Sequence, residues 1–106
     1  MRRVIVESPY AGDVETNLLY LRLCLRDCLL RGEAPFASHA LYTQPGVLDD
    51  NDPKERKMGI RAGLEWGSYA DATVVYTDHG ISAGMQLGID DAQSDGRPIE
   101  YRQLLR

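Results

Sequence analysis

Residues 78–88, DHGISAGMQLG, combine residue types that occur in small-molecule binding sites. They follow an apolar run, and a turn rich in glycine and serine leads into a helical pattern. Such a turn presents unpaired backbone N–H groups at a helix N-terminus, where anions and hydroxyl groups bind. The spacing is neither GxGxxG nor a Walker loop, because no lysine follows the glycines. By itself the stretch is therefore only a weak phosphate motif.

Gln86 is the residue in this stretch whose type decides the chemistry. A carboxylate one turn into the helix could act as a nucleophile, whereas an amide is limited to hydrogen bonding. Gln86 follows Ser82 by four positions, so we expect both side chains on one face, directed at the same rim. A buried amide without a partner costs about 1–3 kcal/mol. The pattern therefore indicates a polar partner for Gln86, either a ligand or the backbone of a neighbouring loop.

Alternating strands and helices must position this stretch. The patterns predict strands at residues 4–7, 34–37, 72–76 and 99–101, and helices at 14–30, 52–70 and 82–93, with a tail that could be helical. Asp13 and Asp52 are expected to cap the first two helices, and Pro53 with Glu55 completes the pattern of a capping box. Gly59 and Gly63, four apart, indicate close packing of their helix against another element. Residues 38–51 form a long loop that should be ordered and packed.

Strands that alternate with helices, without tight hairpins, indicate a parallel sheet with right-handed crossovers. We therefore predict an α/β fold, a small Rossmann-like (flavodoxin-like) three-layer sandwich with a parallel sheet of four to five strands. A chain of 106 residues is expected to form one domain, residues 1–106.

In open parallel sheets, ligands bind beyond the carboxyl ends of the strands. Three loops meet at that edge, residues 7–13, 38–51 and 77–82. Together with the start of the helix after the third loop, they carry the predicted ligand-binding residues Ser8, Tyr10, His39, Tyr42, Gln44, His79, Gly80, Ser82 and Gly84 and the predicted catalytic residues Glu7, Asp78 and Gln86. Alternatives remain open for several of them. Glu7 either holds a ribose hydroxyl or is simply solvated, Tyr10 either stacks on a ring or packs on the first helix, and each histidine is more often a surface residue.

The composition of the chain limits the classes of partner that we expect. A formal net charge of −4 argues against a nucleic-acid polymer or an anionic membrane as partner. No apolar run reaches the roughly 20 residues of a membrane span, and no signal peptide is recognisable, so we expect a cytoplasmic protein. Cys24 and Cys28 are expected in the core of the first helix, and no cofactor or metal is expected: residues 49–52 lack the interleaved ligand spacing of a calcium loop.

The residues GMQLG after an Asp-containing loop resemble the GMELG signature of nucleoside 2-deoxyribosyltransferases and their Rossmann-like relatives. SPYAGD, ASHALYTQPGVLDD and VVYTDHGISAGMQLGI resemble, over nearly the full length, a short domain of unknown function found in phage and bacterial genomes. The transferase resemblance implies retaining cleavage of an N-glycosidic bond. It places Gln86 at the nucleophile's position and Asp78 in the loop that supplies the acid, while Glu7, Ser8 and Tyr10 fall in the loop that contacts base or sugar.

The amide departs from that resemblance, because it cannot form the covalent glycosyl ester. Two functions follow. The chain is an enzyme that cleaves or transfers the N-glycosidic bond of a nucleoside or nucleotide, with water attacking directly, or it is a non-catalytic protein that senses or sequesters such a ligand. A homo-oligomer is expected, with the first helix or the helix at 52–70, which carries Trp66, as the interface.

Overall fold

In the computed structural model, residues 1–104 are described, and they form one four-stranded sheet with four helices. The strands are β1 (Arg2–Glu7), β2 (Glu33–Phe36), β3 (Ala72–Tyr76) and β4 (Ile99–Arg102), and the helices are α1 (Val14–Leu30), α2 (Ser38–Leu41), α3 (Pro53–Gly67) and α4 (Ala83–Ser94). All pairings are parallel and the order is β2-β1-β3-β4. The predicted α/β fold with a parallel sheet is confirmed.

The two faces of the sheet carry separate layers. Val4, Val6 and Val74 pack against buried residues of α1, among them Cys24 and Cys28. Val75 packs on the opposite face against Met85 and Ile89 of α4. Alternate residues of a strand point to opposite faces, so Ile5 and Glu7 of β1 belong to the face that α3 and α4 cover. Both cysteines are buried in the core, as predicted.

The N-terminal caps of the helices agree with the sequence predictions, with one exception. Asp13 accepts a hydrogen bond from the Thr16 backbone N–H, and Asp52 accepts one from the Lys54 N–H. The capping box predicted for α3 is not formed, because the Glu55 carboxylate accepts from the Asp49 N–H instead. Glu55 therefore stabilises the loop before α3 and does not cap the helix.

Residues 38–51 differ from the prediction of an uninterrupted loop. They begin with the one-turn helix α2, which packs on α3 at the two glycines. A Cβ on Gly63 would overlap Ser38, and one on Gly59 would press against Leu48. The close approach predicted from Gly59 and Gly63 is thus confirmed, and it fixes α2 beside the carboxyl end of β1. The predicted helical tail is not present at Gln103 and Leu104, and the remainder of it lies outside the described residues.

Across residues 1–104, every helix is too short or too polar to cross a membrane.

Candidate functional site: a pocket at the β1–β3 crevice

The strand order places a crevice at the carboxyl ends of β1 and β3. The chain leaves β1 for β2 on one side, and it later continues from β3 to β4 on the other. Such a switch point leaves room between the crossover connections and is where α/β sheets bind ligands. In this chain the crevice opens into a pocket of about 220 Å³ between β1, α2, α3 and α4.

Glu7, the last residue of β1, lies on the floor of this pocket. Among the described residues no side chain or backbone group forms a hydrogen bond with its carboxyl group, and the residue is half-buried. Burial raises the pKa of Glu7 to about 8; the positive charge of Arg97 lowers it and the negative charge of Asp91 raises it further. At neutral pH the group is therefore mainly an uncharged acid that can donate a proton or a hydrogen bond.

Arg97 does not neutralise Glu7, because its guanidinium already has other partners. It donates to the Gly67 carbonyl oxygen at 2.7 Å, and it pairs with Asp95 at 2.8 Å and Asp91 at 3.0 Å. Its Nε donates to Thr73. With these partners satisfied, Arg97 acts on Glu7 only through its field, and the acid keeps its proton.

Gly88 makes room for the carboxyl group of Glu7. A Cβ at this position of α4 would overlap all three terminal atoms of the glutamate side chain. The glycine thus allows α4 to approach the end of β1, and the carboxyl group is enclosed between the helix and the pocket.

Replacing Gly88 tests this contact, and Gly84 of the same helix is the matched control. A Cβ on Gly84 would meet no atom closer than 4.0 Å. Both alanine variants gain helix propensity, but only Gly88→Ala overpacks, so we expect it to be about 1–3 kcal/mol less stable than Gly84→Ala. Urea unfolding of the two variants measures the difference, and equal stabilities would contradict the contact.

Ser8 and His39 form a second polar group in the pocket. The Ser8 Oγ lies 2.8 Å from the His39 Nε2, and Ser8 is buried. The Tyr10 ring packs edge-on against the His39 ring, with their centroids 6.5 Å apart. Burial lowers the pKa of His39 to about 4, so the imidazole is uncharged at neutral pH. One of the two heteroatoms donates to the other, depending on the histidine tautomer.

Aromatic and aliphatic side chains form most of the walls. Phe36 and Tyr42 lie edge-to-face at 6.3 Å, and Trp66 packs on Phe36 at 5.9 Å while its indole N–H donates to the Tyr42 hydroxyl. α3 adds Ile60 and Leu64, and its charged residues Glu55 and Arg56 also line the pocket. An apolar chamber with a few polar groups is typical of a site for a flat organic ligand.

The structure brings seven of the predicted site residues together in this lining: Glu7, Ser8, Tyr10, His39, Tyr42, Ser82 and Gly84. Sequence reasoning missed the contribution of α3 and of Gly88. The repeated glycines of α3 were a usable signal, since small residues that allow close packing also mark the wall beside them.

The prediction that Gln86 and Asp78 share a cavity with Glu7 is wrong. Gln86 is exposed, and its amide donates to Asp90 at 2.9 Å on the outer side of α4. Met85, Gly88 and Ile89 take the buried positions of that helix, so its phase turns residue 86 away from the pocket.

Asp78 lies at the expected edge of the sheet but faces α1. Its carboxylate accepts hydrogen bonds from the Tyr20 hydroxyl at 2.5 Å and from the Leu104 N–H at 3.0 Å. His79 packs on the Tyr20 ring at 4.4 Å. Gly80 lies in an exposed turn with φ +81°. Gln44 is exposed, and its backbone carbonyl oxygen accepts a hydrogen bond from the Val47 N–H. These predicted residues lie outside the pocket.

In residues 1–104, no cluster of three or more His, Cys, Asp or Glu side chains is arranged to hold a metal ion.

Comparison with known proteins gives a family and two related folds. The model of DUF7768, described as a domain of unknown function, matches residues 2–102. The solved 2-deoxyribosyltransferase of Bacillus psychrosaccharolyticus is similar over 95% of this chain and 72% of its own, with 18% identity and a TM-score of 0.67. The CMP N-glycosidase BcmB of Clostridium botulinum is similar over 96% and 71%, with 13% identity and a TM-score of 0.57. A search of the curated proteins finds no significant match. At these identities the two structures establish a shared Rossmann-like fold.

Proposed function

The chain belongs to the DUF7768 family of domains of unknown function, and we propose a function on the basis of its own pocket. The protein binds a nucleoside or nucleotide and hydrolyses its N-glycosidic bond, with Glu7 as the acid. The observation that carries this proposal is the position of the Glu7 carboxyl group on the pocket floor, where no described residue forms a hydrogen bond with it and burial raises its pKa to about 8. A buried acid with a raised pKa is suited to protonate a leaving group at neutral pH.

The walls of the pocket support a nucleobase as the leaving group. The rings of Phe36 and Tyr42 offer faces and edges against which a flat heterocycle can pack. Two solved proteins with the same fold are described as a 2-deoxyribosyltransferase suited to nucleoside synthesis and a CMP N-glycosidase. This agreement between pocket chemistry and fold relatives favours a nucleoside-type ligand over other flat molecules.

In the proposed reaction the Glu7 proton is transferred to the base as the bond to the sugar carbon C1′ breaks. Protonation makes the base a better leaving group, and the sugar develops oxocarbenium character that water then attacks. The apolar walls limit access of bulk water to the developing cation. Asp78 and Gln86 take no part in this step, because they lie outside the pocket.

Binding without cleavage is the second candidate. The exposed position of Gln86 favours it, since the place that carries the nucleophile in the resembling transferases is here neither acidic nor directed into the pocket. The same pocket would then hold its ligand intact, with Glu7 donating a hydrogen bond.

Base release and binding, measured together, separate the two candidates. Trp66 is the single tryptophan and contacts two wall residues, so its fluorescence reports occupancy of the pocket. Nucleosides and their 5′-monophosphates are mixed with the protein, and free base is quantified by chromatography. Release of base supports hydrolysis, a fluorescence change without release supports the binder, and neither response across the panel contradicts both.

The position of Arg56 supports the proposal that the ligand carries a phosphate group. It lines the pocket in the first turns of α3, and no ion pair joins its guanidinium to another described residue. A guanidinium binds phosphate through charge-assisted hydrogen bonds. We expect Arg56→Gln to weaken binding of a nucleoside monophosphate about tenfold and to leave binding of the unphosphorylated nucleoside within about twofold. Titrations monitored by Trp66 fluorescence measure both, with exposed Arg61→Gln of the same helix as control; equal losses for the two ligands would argue against phosphate recognition.

We further propose that the chain assembles with copies of itself. α1 exposes Leu19, Leu23 and Leu30, and α3 exposes Met58 and Trp66. Apolar side chains grouped on a surface often mark protein–protein contacts, which supports the two helices as candidate interfaces.

A further inference from the structure

We propose that Ser8 and His39 form a proton relay that activates the attacking water, with Ser8 as the catalytic residue and His39 acting through it. This inference rests on the proposed hydrolysis and assigns its second half. Glu7 accounts for the departure of the base, but nothing assigned so far receives the proton of the water. Ser8 follows Glu7 directly, lines the same pocket and lies 2.8 Å from the His39 Nε2.

The surroundings of the pair favour proton transfer over a surface contact. Ser8 is 4% exposed and is one of the residues that line the pocket. Among the described residues the Ser8 hydroxyl has His39 as its side-chain partner. His39 is held in place on α2, where its carbonyl oxygen accepts the Thr43 hydroxyl at 2.6 Å and its ring contacts Tyr10. The contacts with Ser8 and Tyr10 therefore orient the imidazole, which is half-buried.

The proposed reaction breaks one bond at C1′ and forms another. The C1′–N bond breaks, its electron pair goes to the base, and the base takes the Glu7 proton. Water forms the C1′–O bond; its proton passes to the Ser8 Oγ as the Ser8 hydroxyl proton passes to the His39 Nε2. The imidazolium then returns a proton through solvent to the Glu7 carboxylate, so the net reaction is nucleoside plus water to free base plus sugar.

A weakly basic imidazole is sufficient here. Water that adds to an oxocarbenium-like carbon becomes a strong acid, so its proton is lost readily to an acceptor of low basicity. The burial that keeps His39 uncharged ensures that the acceptor is unprotonated when the sugar is bound. The relay requires one tautomer, with the proton on Nδ1 and a free lone pair on Nε2 directed at Ser8.

The test combines turnover with a readout that does not depend on it. In the wild-type protein, ¹⁵N shifts of His39 at neutral pH should show an unprotonated Nε2. Ser8→Ala and His39→Gln should each lower kcat about 10²- to 10³-fold, with KM and the Trp66-monitored binding changed less than about threefold. Ser68→Ala, an exposed serine after α3, is the matched control and should retain wild-type kcat.

Three outcomes overturn the relay; the first two leave the proposed hydrolysis by Glu7 standing, and the third removes it as well. A proton on Nε2 excludes it whatever the activity. Normal kcat in both variants, or a loss confined to KM and melting temperature, reduces the pair to a structural contact between α2 and β1 while hydrolysis by Glu7 stands. Binding without any base release from the wild type removes both proposals together.

Discussion

Replacement of Glu7 by glutamine is expected to abolish base release and, at alkaline pH, to stabilise the fold. Glutamine keeps the shape of the side chain but has no proton to give, so turnover should fall about 10²- to 10⁴-fold. Its amide is also uncharged at every pH, whereas wild-type Glu7 must ionise inside the pocket as the pH rises. The same substitution therefore changes activity and stability in opposite directions.

The pH range over which Glu7 affects stability follows from the direction of its pKa shift. The pKa of Glu7 is raised in the folded chain, from 4.5 to about 8, so the folded state holds a proton that the unfolded state releases. Stability therefore falls as the pH rises from about 4.5 to 8. The pKa of His39 is lowered from 6.5 to about 4, so its neutral form favours the fold above that range and this contribution is lost as the pH falls.

Between pH 6.5 and 8.5 the Glu7 effect dominates, because folded His39 is already uncharged and the unfolded imidazole is at most half protonated, which contributes less than about 0.5 kcal/mol. Glu7 should lower the free energy of unfolding by about 2 kcal/mol in this window, at 1.36 kcal/mol per pKa unit. Urea unfolding of the wild type should show this fall, Glu7→Gln should not, and exposed Glu65→Gln should follow the wild type. Parallel curves for all three proteins would refute the raised pKa.

Loss of the Arg102 side chain is expected to have the largest effect on folding. Arg102, the last residue of β4, pairs through both terminal nitrogens with Glu33, the first residue of β2, each at 2.8 Å. Both side chains are buried, so the pair links the two outer strands across the face that α1 covers. Removing the guanidinium leaves the Glu33 carboxylate with the more exposed Arg2 at 3.3 Å as its remaining cation.

Arg102→Ala should reduce the free energy of unfolding by about 3–5 kcal/mol, because it leaves a buried charge without its main partner. Arg3→Ala, which removes an exposed pair with Asp71, should cost less than about 1 kcal/mol. Arg102 lowers the pKa of Glu33, so the pair's contribution is present above the unfolded pKa of Glu33 and is lost as acid protonates the folded carboxylate.

A double replacement, Glu33→Met with Arg102→Leu, distinguishes an unpaired charge from lost packing. It should recover most of the stability that Arg102→Ala loses. A double variant as unstable as the single one would mean that shape, not charge, dominates at this position.

The sequence predicts the fold well where local chemistry dictates it. The largely apolar strand β3 is fully buried, and the carboxylates of Asp13 and Asp52 cap their helices as their positions suggest. The prediction that the loop after β1 contributes to the site is correct for Glu7 and Ser8, because the carboxyl ends of parallel strands meet at one edge of the sheet.

Side-chain direction at the rim depends on contacts that are remote in the sequence. Ser82 is the N-cap of α4 and not yet helical, so counting four residues from it misplaces the face on which Gln86 lies. Asp78 is turned away from the pocket by Tyr20, 58 positions earlier, which no local pattern indicates. α2 escapes prediction because a single turn has too few residues to show a period.

The ionisation of Glu7 is the most direct test of the account, since the proposed chemistry depends on a proton that this group keeps at neutral pH. A ¹³C NMR titration of the Glu7 side-chain carboxyl carbon, assigned by comparison with Glu7→Gln, measures it in the intact chain. We predict a midpoint near pH 8 that shifts when a nucleotide occupies the pocket. A midpoint near 4.5, unchanged by every nucleoside and nucleotide tested, would contradict both the buried acid and the function built on it.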